Sequence, residues 1–260
     1  MPIQSVQAII LRKDDFRDTS FLLNCYTDRL GKIKGIIKGV KGYPFKYGSP
    51  LEIMTLNALV VYERHRSDLG LIGQVDLMDD FGGVRRDPKK TAFGAYFVEI
   101  VDRFTAFGDP HPDIFHLLRN ALRALRETQR YVFLTHVFEV RLLKSLGILP
   151  HVNRCGGCMG YDVEPVTFDV AKGNVYCHTC SSPVYNGIAT TRHACSGIQA
   201  ITDGAMEGDF SVALLERLYE RSGENRDAVR MIRRFIDYHL DFPLKSIPVI
   251  RQFYREGVET

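Results

Sequence analysis

The sequence lacks the features that mark several common classes of protein. Among its 260 residues no apolar run approaches the roughly 18 that a membrane helix needs, and no charged-then-apolar signal segment opens the chain. A glycine-rich phosphate loop, an H-E-x-x-H motif and a G-x-S-x-G motif are absent, and the formal net charge is only +3. These absences predict a cytoplasmic protein that does not contact a membrane and is not an enzyme.

Cysteine is also scarce, and its spacing is informative. Four of the six cysteines form two C-x2-C pairs, Cys155 with Cys158 and Cys177 with Cys180, separated by 18 residues. This spacing is typical of a four-cysteine zinc site, in which Zn²⁺ takes four thiolates in a tetrahedron. Since all four positions are cysteine, no coordination position is left for water. The pattern predicts one structural Zn²⁺ per chain; two disulfides or free thiols are the alternative.

The segment between the two cysteine pairs resembles a β-hairpin. Pro165 to Asp169 and Gly173 to Tyr176 are short strand-like runs, and a hairpin would bring the second pair beside the first. The remaining cysteines, Cys25 and Cys195, have no evident local base, so we expect them to be small buried residues and not nucleophiles.

Residues 1 to about 80 contain short strand-like runs and no convincing helical period. Many short strands in so few residues predict a small barrel or a sandwich. The candidate strands are Ser5 to Leu11, Thr19 to Thr27, Lys32 to Lys41, Leu51 to Met54, Ala58 to Glu63 and Leu71 to Leu77.

Basic residues are concentrated at the start of this barrel. Residues 1 to 47 hold nine basic side chains against four acids, and residues 48 to 84 carry a local charge of −4. Alternation along the third strand places Lys32, Lys34 and Lys38 on one face. Neighbouring aromatic residues (Tyr26, Tyr43, Phe45 and Tyr47) favour a surface that binds nucleic acid, because cations contact phosphates and rings stack on bases. The alternative is a face that is merely solvated.

From Thr91 onward the pattern becomes helical. Three helices precede the cysteine pairs, the third from Tyr131 to Leu146, and two follow them, Ser211 to Arg221 and Glu224 to Leu240. Four arginines crowd the last of these helices beside an apolar stripe, which we expect to be buried and which comprises Val229, Ile232, Ile236 and Leu240. The residues Arg226, Arg230, Arg233, Arg234 and Tyr238 are candidates for one wall of a groove that binds an acidic peptide.

Three passages of the chain resemble the RecO family of bacterial recombination mediators. The most specific is Phe138 to Pro150 running into Arg154 to Cys158, which matches that family's junction between a helix and its ribbon. The other two are the barrel strands (Ala8 to Arg12, Asp18 to Ser20, Gly31 to Lys34, and Lys38-Gly39) and the closing segment (His239-Leu240 and Pro243 to Ser246).

The resemblance implies an α+β fold with four segments. These are an OB-fold barrel at residues 1–80, a helical domain beginning at 88–150, a zinc ribbon inserted at 151–190, and the rest of the helical domain at 191–260. By position, the DNA-binding surface of the barrel would comprise Arg12, Lys13, Lys32, Lys34, Lys38 and Lys41.

The implied function is that of a recombination mediator associated with the nucleoid. Such a protein binds single- and double-stranded DNA, anneals complementary strands, and remodels DNA coated with single-strand-binding protein so that the recombinase can load. The implied partners are RecR, the acidic C-terminal tail of single-strand-binding protein and, more loosely, RecF and the recombinase.

Two other classes of function remain open from the residues alone. Some zinc-finger DNA glycosylases use an N-terminal proline amine, which Met1-Pro2 could supply. Those enzymes place a glutamate next, where this chain has Ile3, and they carry the finger at the extreme C-terminus, whereas 80 residues follow Cys180. The barrel could also be a protein-docking adaptor that does not contact DNA.

Overall fold

The computed structural model describes residues 3–43, 46, 51–64, 67–160, 164–181, 184, 187–204, 210–223 and 225–255. The chain divides into two compact units. The first comprises Met1–Glu127 and Leu244–Thr260, and the second comprises Thr128–Pro243. No helix within the described ranges is long and apolar enough to cross a membrane.

A closed five-stranded barrel forms the N-terminal part of the first unit. Its strands pair in the order β1-β2-β3-β5-β4, with β3 and β5 parallel and the other pairs antiparallel. The predicted OB-fold is therefore confirmed. The strands are β1 (Ile3–Phe16), β2 (Ser20–Thr27), β3 (Lys32–Ile37), β4 (Leu56–Arg64) and β5 (Ser67–Asp79). The predicted strand from Leu51 to Met54 is wrong, because that segment is a loop whose Met54 N–H donates to the Ile10 carbonyl of β1 at 2.8 Å without forming a strand. Leu51 joins the barrel core from this loop.

Alternating apolar side chains fill the barrel. Ala8, Leu23, Ile37 and Val61 are among the buried members of this core. Gly35 faces the same interior, where a Cβ atom would lie only 2.7 Å from the side chain of Ile72. A glycine at this position lets β3 approach β5 closely enough for the barrel to close.

Four helices complete the first unit: α1 (Gly82–Arg85), α2 (Pro88–Phe104), α3 (Pro112–Glu127) and α8 (Ser246–Arg255). Asp87 caps α2 by accepting hydrogen bonds from the backbone N–H groups of Lys89 and Lys90. The Glu99 carboxylate of α2 accepts from the backbone N–H groups of Lys245 and Ser246 at 2.7 and 2.9 Å. This capping fixes the start of α8 against α2.

The second unit combines helices with a small sheet. Its helices are α4 (Tyr131–Ser145), α5 (Arg192–Asp203), α6 (Val212–Ser222) and α7 (Arg226–Tyr238). Its strands, β6 (His151–Cys155), β7 (Val166–Asp169), β8 (Asn174–Cys177) and β9 (Gly187–Thr190), pair in the order β6-β8-β7-β9. The antiparallel β7–β8 pair is the hairpin expected between the cysteine pairs. Glu224, the predicted start of the last helix, lies outside the described residues.

Candidate nucleic-acid interface and metal centre

Three polar side chains form a row across the barrel. Arg12 of β1 pairs with Asn24 of β2, and Asn24 pairs with Lys34 of β3. Residues directly opposite each other on adjacent strands project from the same face of a sheet. Arg12 and Lys34 are exposed and Asn24 is half-buried. The row therefore presents one cation on each side of an amide on the outer surface of the barrel.

The cations of this row, and Lys38 just beyond the end of β3, differ in their partners. The Arg12 Nε atom lies 2.8 Å from Asp14 Oδ2, an exposed pair that contributes little to stability. Among the described residues, no side-chain contact engages the amino groups of Lys34 and Lys38, which are both exposed. Within the described ranges, their ammonium groups can therefore bind an anion without breaking a side-chain interaction.

Lys13 and Lys41 lie at one end of the barrel and are only partly exposed. Their Nζ atoms stand 5.1 and 5.5 Å from the centre of the Phe21 ring. Lys13 also donates to the backbone carbonyl of Leu51 at 2.7 Å, and Lys41 forms a 2.9 Å ion pair with Asp15. These two lysines help to close the barrel, so they have less freedom to contact phosphates than Lys34 does.

Lys32 is not part of the exposed basic face, and its predicted exposed position is wrong. Its Nζ atom is buried, donates to the backbone carbonyl of Asp102 at 2.6 Å and lies 4.6 Å from the centre of the Phe107 ring. The backbone N–H of Gly108 donates to the Lys32 carbonyl at 2.9 Å. The segment after α2 covers the start of β3, so strand alternation alone misplaces this side chain.

The predicted aromatic surface is also partly wrong. Tyr26 is fully buried, and its hydroxyl donates to the backbone carbonyl of His111 at 3.4 Å. Burial, followed by the charges of Asp113 and Asp109, raises the pKa of this phenol. Tyr43 is exposed and remains a candidate for stacking. Phe45 and Tyr47 lie outside the described residues.

Sequence reasoning missed Asn24, the amide that lies between Arg12 and Lys34 in this row. The signal was present, because Asn24 is a polar residue within the otherwise apolar run from Phe21 to Tyr26. An amide at a strand position that faces outward can hydrogen-bond to a base or to a phosphate.

The four cysteines of the two C-x2-C pairs converge at one end of the small sheet. All four sulfur atoms lie within 4.8 Å of one another. Cys158 Sγ and Cys177 Sγ are 3.8 Å apart, which is about the separation of two sulfurs in a tetrahedral site with metal–sulfur bonds of ~2.3 Å. Cys155 and Cys177 are buried. The cluster has the geometry to hold a metal ion.

The thiols of this cluster also have the chemistry of metal ligands. Burial by itself would raise the pKa of Cys155, but N–H groups of Cys158, Cys177 and Gly157 lower it to about 6. The interaction with Cys177 raises the pKa of Cys180 to about 12. Four thiolates so close together repel one another, so a bound cation would favour the ionisation of all of them.

The arginine-rich helix α7 divides into two groups. Arg226, Arg230 and Arg234 are exposed and follow one another at intervals of four residues, so they share one face of the helix with the exposed Tyr238. Arg233 instead forms ion pairs with the buried Glu139 at 3.6 Å and with Asp237 at 3.1 Å. The exposed residues form a stripe, named here the α7 stripe, and Arg233 holds the helix in place.

The buried face of α7 differs from the expected stripe. Ile232 and Ile236 are buried as predicted, but Val229 and Leu240 are half-buried, and Phe235 packs inward. The Phe235 ring lies 6.1 Å from that of Phe168 on β7. Phe235 therefore anchors α7 to the small sheet and is not available to a partner.

A closed OB-type barrel in one unit and a four-cysteine cluster in the other define the class of this chain. Residues 1–81 match the family described as "Recombination protein O N terminal", and residues 85–248 match "Recombination protein O C terminal". The chain belongs to the RecO family, as the resemblance of its motifs indicated.

Similar proteins cover the chain almost from end to end. One, named "DNA repair protein RecO" from Anaeromyxobacter dehalogenans (strain 2CP-C), is 28% identical over 89% of each chain. Two others with the same name cover 97% of this chain. That from Syntrophus aciditrophicus (strain SB) is 22% identical over 96% of its own length, and that from Pelotomaculum thermopropionicum is 25% identical over 95%.

Proposed function

We propose that this protein is a non-enzymatic DNA repair mediator. It binds single- and double-stranded DNA, anneals complementary strands, and acts with RecR on DNA coated with single-strand-binding protein so that the recombinase can load. RecF is a looser partner in the same process. The proposal is supported by membership of the RecO family and by the name of the relatives, DNA repair protein RecO.

The observation that carries the proposal is the exposed row of Arg12, Asn24 and Lys34 on the barrel. OB-folds bind single strands through a cationic groove that follows the backbone, in combination with aromatic stacking. We assign DNA contact to Arg12, Lys34 and Lys38, with smaller contributions from Lys13 and Lys41. The exposed ammonium groups of Lys34 and Lys38, which have no side-chain partner among the described residues, can neutralise phosphates without losing contacts of their own.

The metal of the cysteine cluster is Zn²⁺ in this proposal. Thiolate ligands in a four-sulfur tetrahedron are typical of structural zinc. The ion would crosslink β6 and the loop after it to the end of β8. It contributes folding energy to the second unit and leaves no position for a reacting water.

The α7 stripe is the proposed contact for the acidic tail of single-strand-binding protein. Arg226, Arg230 and Arg234 present three positive charges along one face, and Tyr238 adds an exposed ring at the end of the helix. Charge steers an acidic peptide to such a surface, and an aromatic contact holds it.

An annealing assay on coated strands tests the proposed function. Two complementary oligonucleotides are each saturated with single-strand-binding protein, and duplex formation is followed with and without this protein and RecR. The proposal predicts faster annealing with this protein present. Equal rates, together with no binding to bare single strands, would identify the barrel as a protein-docking module instead.

A further inference from the structure

Two glycines, Gly156 and Gly157, separate the cysteines of the first C-x2-C pair. Neither has a positive φ angle, so neither adopts the left-handed conformation for which glycine is usually needed. A requirement for glycine at either position would therefore come from the space that is available to a side chain. The two positions differ in what such a side chain would contact.

A side chain at position 157 would point into the cysteine cluster. A Cβ atom at Gly157 would lie 2.8 Å from both the Cβ and the Sγ atom of Cys180, and 3.8 Å from Cys155 Sγ. Non-bonded carbon atoms are usually about 3.5–4.0 Å apart, so Cys180 would have to move by about 1 Å. Rotation about the Cα–Cβ bond of Cys180 moves the sulfur but does not relieve the clash with the Cβ atom.

The backbone of the first cysteine pair is held in place by hydrogen bonds. The Gly157 N–H donates to Cys155 Sγ at 3.4 Å. The Gly156 N–H donates to the Val175 carbonyl of β8 at 2.8 Å, which ties the pair to the small sheet. Cys155 is buried, whereas Cys180 is only half-buried. The displacement that a side chain at position 157 causes would therefore fall on Cys180.

A displacement of this size is incompatible with a zinc ligand. Zinc–sulfur bonds are about 2.3 Å long, and plausible ligand distances stay within about 0.2 Å of such values. A Cys180 sulfur that is displaced by about 1 Å would no longer bind the ion. The site would then keep three thiolates and one open position.

We propose that Gly157 is a positioning residue for the fourth metal ligand, an inference that rests on the Zn²⁺ proposed for the cluster. Because Gly157 has no side chain, Cys180 can approach the other three sulfurs and close the site. Gly156 provides a matched comparison. A Cβ atom there would meet the Tyr176 ring at 3.2 Å and Asn174 Cβ at 3.3 Å, neither of which belongs to a cysteine of the cluster, so these neighbours need to shift by only a few tenths of an ångström.

The zinc affinity of full-length Gly157→Ala and Gly156→Ala, measured by competition with a chromophoric chelator, tests this role. Gly157→Ala should bind Zn²⁺ at least about a hundredfold more weakly than the parent, because it loses a ligand and changes beyond the ligands already cost about 10–100-fold. Gly156→Ala should lose less than about tenfold. In the Co²⁺-substituted protein, the visible absorption should change in Gly157→Ala as one thiolate is lost, and Gly156→Ala should keep the parent's spectrum.

Alkylation of the cysteines separates the loss of one ligand from general unfolding. With Zn²⁺ present, iodoacetamide labelling followed by mass spectrometry should show that Cys180 reacts much faster than the other three cysteines of the cluster in Gly157→Ala. In the parent all four should react slowly. The role of Gly157 is disproved if Gly157→Ala binds Zn²⁺ as tightly as the parent, or if all four cysteines become labelled together. Parent protein that binds no Zn²⁺ would contradict the metal assignment itself, and the role of Gly157 with it.

Discussion

Arg12 and Lys34 lie on opposite sides of Asn24, each in register with it on a neighbouring strand of the barrel. Their Cα atoms are thus two strand spacings apart, about 9.6 Å, and both side chains project from the outer face. Lys32, only two residues before Lys34, is instead buried against Asp102 and Phe107. This difference separates the proposed DNA-binding role of Lys34 from the structural role of Lys32 within a single strand.

The first prediction concerns the structural role of Lys32. Lys32→Met should lower the free energy of unfolding of the first unit by about 2 kcal/mol, because hydrogen bonds to charged groups contribute about 1.5–3 kcal/mol. Denaturant unfolding followed by circular dichroism measures the change. Lys38→Met is the control, and as an exposed substitution it should stay within about 0.5 kcal/mol of the parent. Equal stability of the two variants would mean that the Asp102 contact is not formed in solution.

The second prediction concerns the cysteine cluster. The purified, reduced protein should hold one Zn²⁺ per chain, and Cys177→Ser should lose it. Metal-coupled folding contributes several kcal/mol or more, so amide hydrogen exchange should rise around β6, β7 and β8 while the barrel stays protected. Cys195→Ala is the matched control because Cys195 lies outside the cluster, and it should keep its zinc. Freshly reduced parent protein without zinc would contradict the assignment.

The third prediction concerns the pH dependence of stability. Burial lowers the pKa of His136 to about 4, whereas an unfolded histidine titrates near ~6.5. Between these values the unfolded chain binds the extra proton. The stabilisation that the neutral histidine contributes is therefore complete above pH 6.5. As the pH falls towards 4, this group lowers the free energy of unfolding by at most about 3 kcal/mol. Urea unfolding at several pH values should show a shallower decline in His136→Gln than in the parent, and parallel curves would refute the buried neutral state.

The fourth prediction concerns the α7 stripe. Arg230→Ala combined with Arg234→Ala should weaken binding of the acidic tail peptide of single-strand-binding protein by about tenfold or more, since two steering charges are lost. Fluorescence anisotropy with labelled peptide measures the affinity. A control with Arg154→Ala and Arg217→Ala removes two exposed arginines elsewhere in the second unit and should bind normally. If both double variants bind as the parent does, the peptide contacts another surface.

The features that could be predicted from the sequence are those set by local spacing. Two intervening residues between cysteines determine where their thiols can converge, so the cluster followed directly from the two C-x2-C pairs. The helix predicted from Tyr131 to Leu146 is α4, and Gly147, with φ of +71°, follows its C-terminus as glycine commonly does. Likewise, the short strand-like runs without a helical period predicted the barrel.

The features that could not be predicted depend on contacts between distant segments. The burial of Lys32 and Tyr26 results from packing of residues 102–111 against the barrel, which no local pattern records. Helix α5 was missed although Thr191 is a good N-cap and Ala194, Cys195 and Ile198 repeat at helical spacing. Since α5 follows directly after β9, its start lacked the polar linker that usually separates elements.

The central claim, that the barrel binds DNA through its exposed cations, is tested most directly by the salt dependence of single-strand binding. Each neutralised phosphate adds about −0.7 to the slope of log affinity against log salt on single strands. Lys34→Ala combined with Lys38→Ala should therefore flatten the slope by roughly one to one and a half units. Annealing should slow with it, while zinc content and Tm stay unchanged.

The matched control for this measurement is Lys245→Ala, which removes an exposed lysine of the same unit outside the barrel. Its slope should equal that of the parent for every oligonucleotide sequence. A flatter slope in the Lys34 and Lys38 variant alone is the result that the account predicts. An unchanged slope in that variant would contradict it, because the lysines would then form only a solvated face.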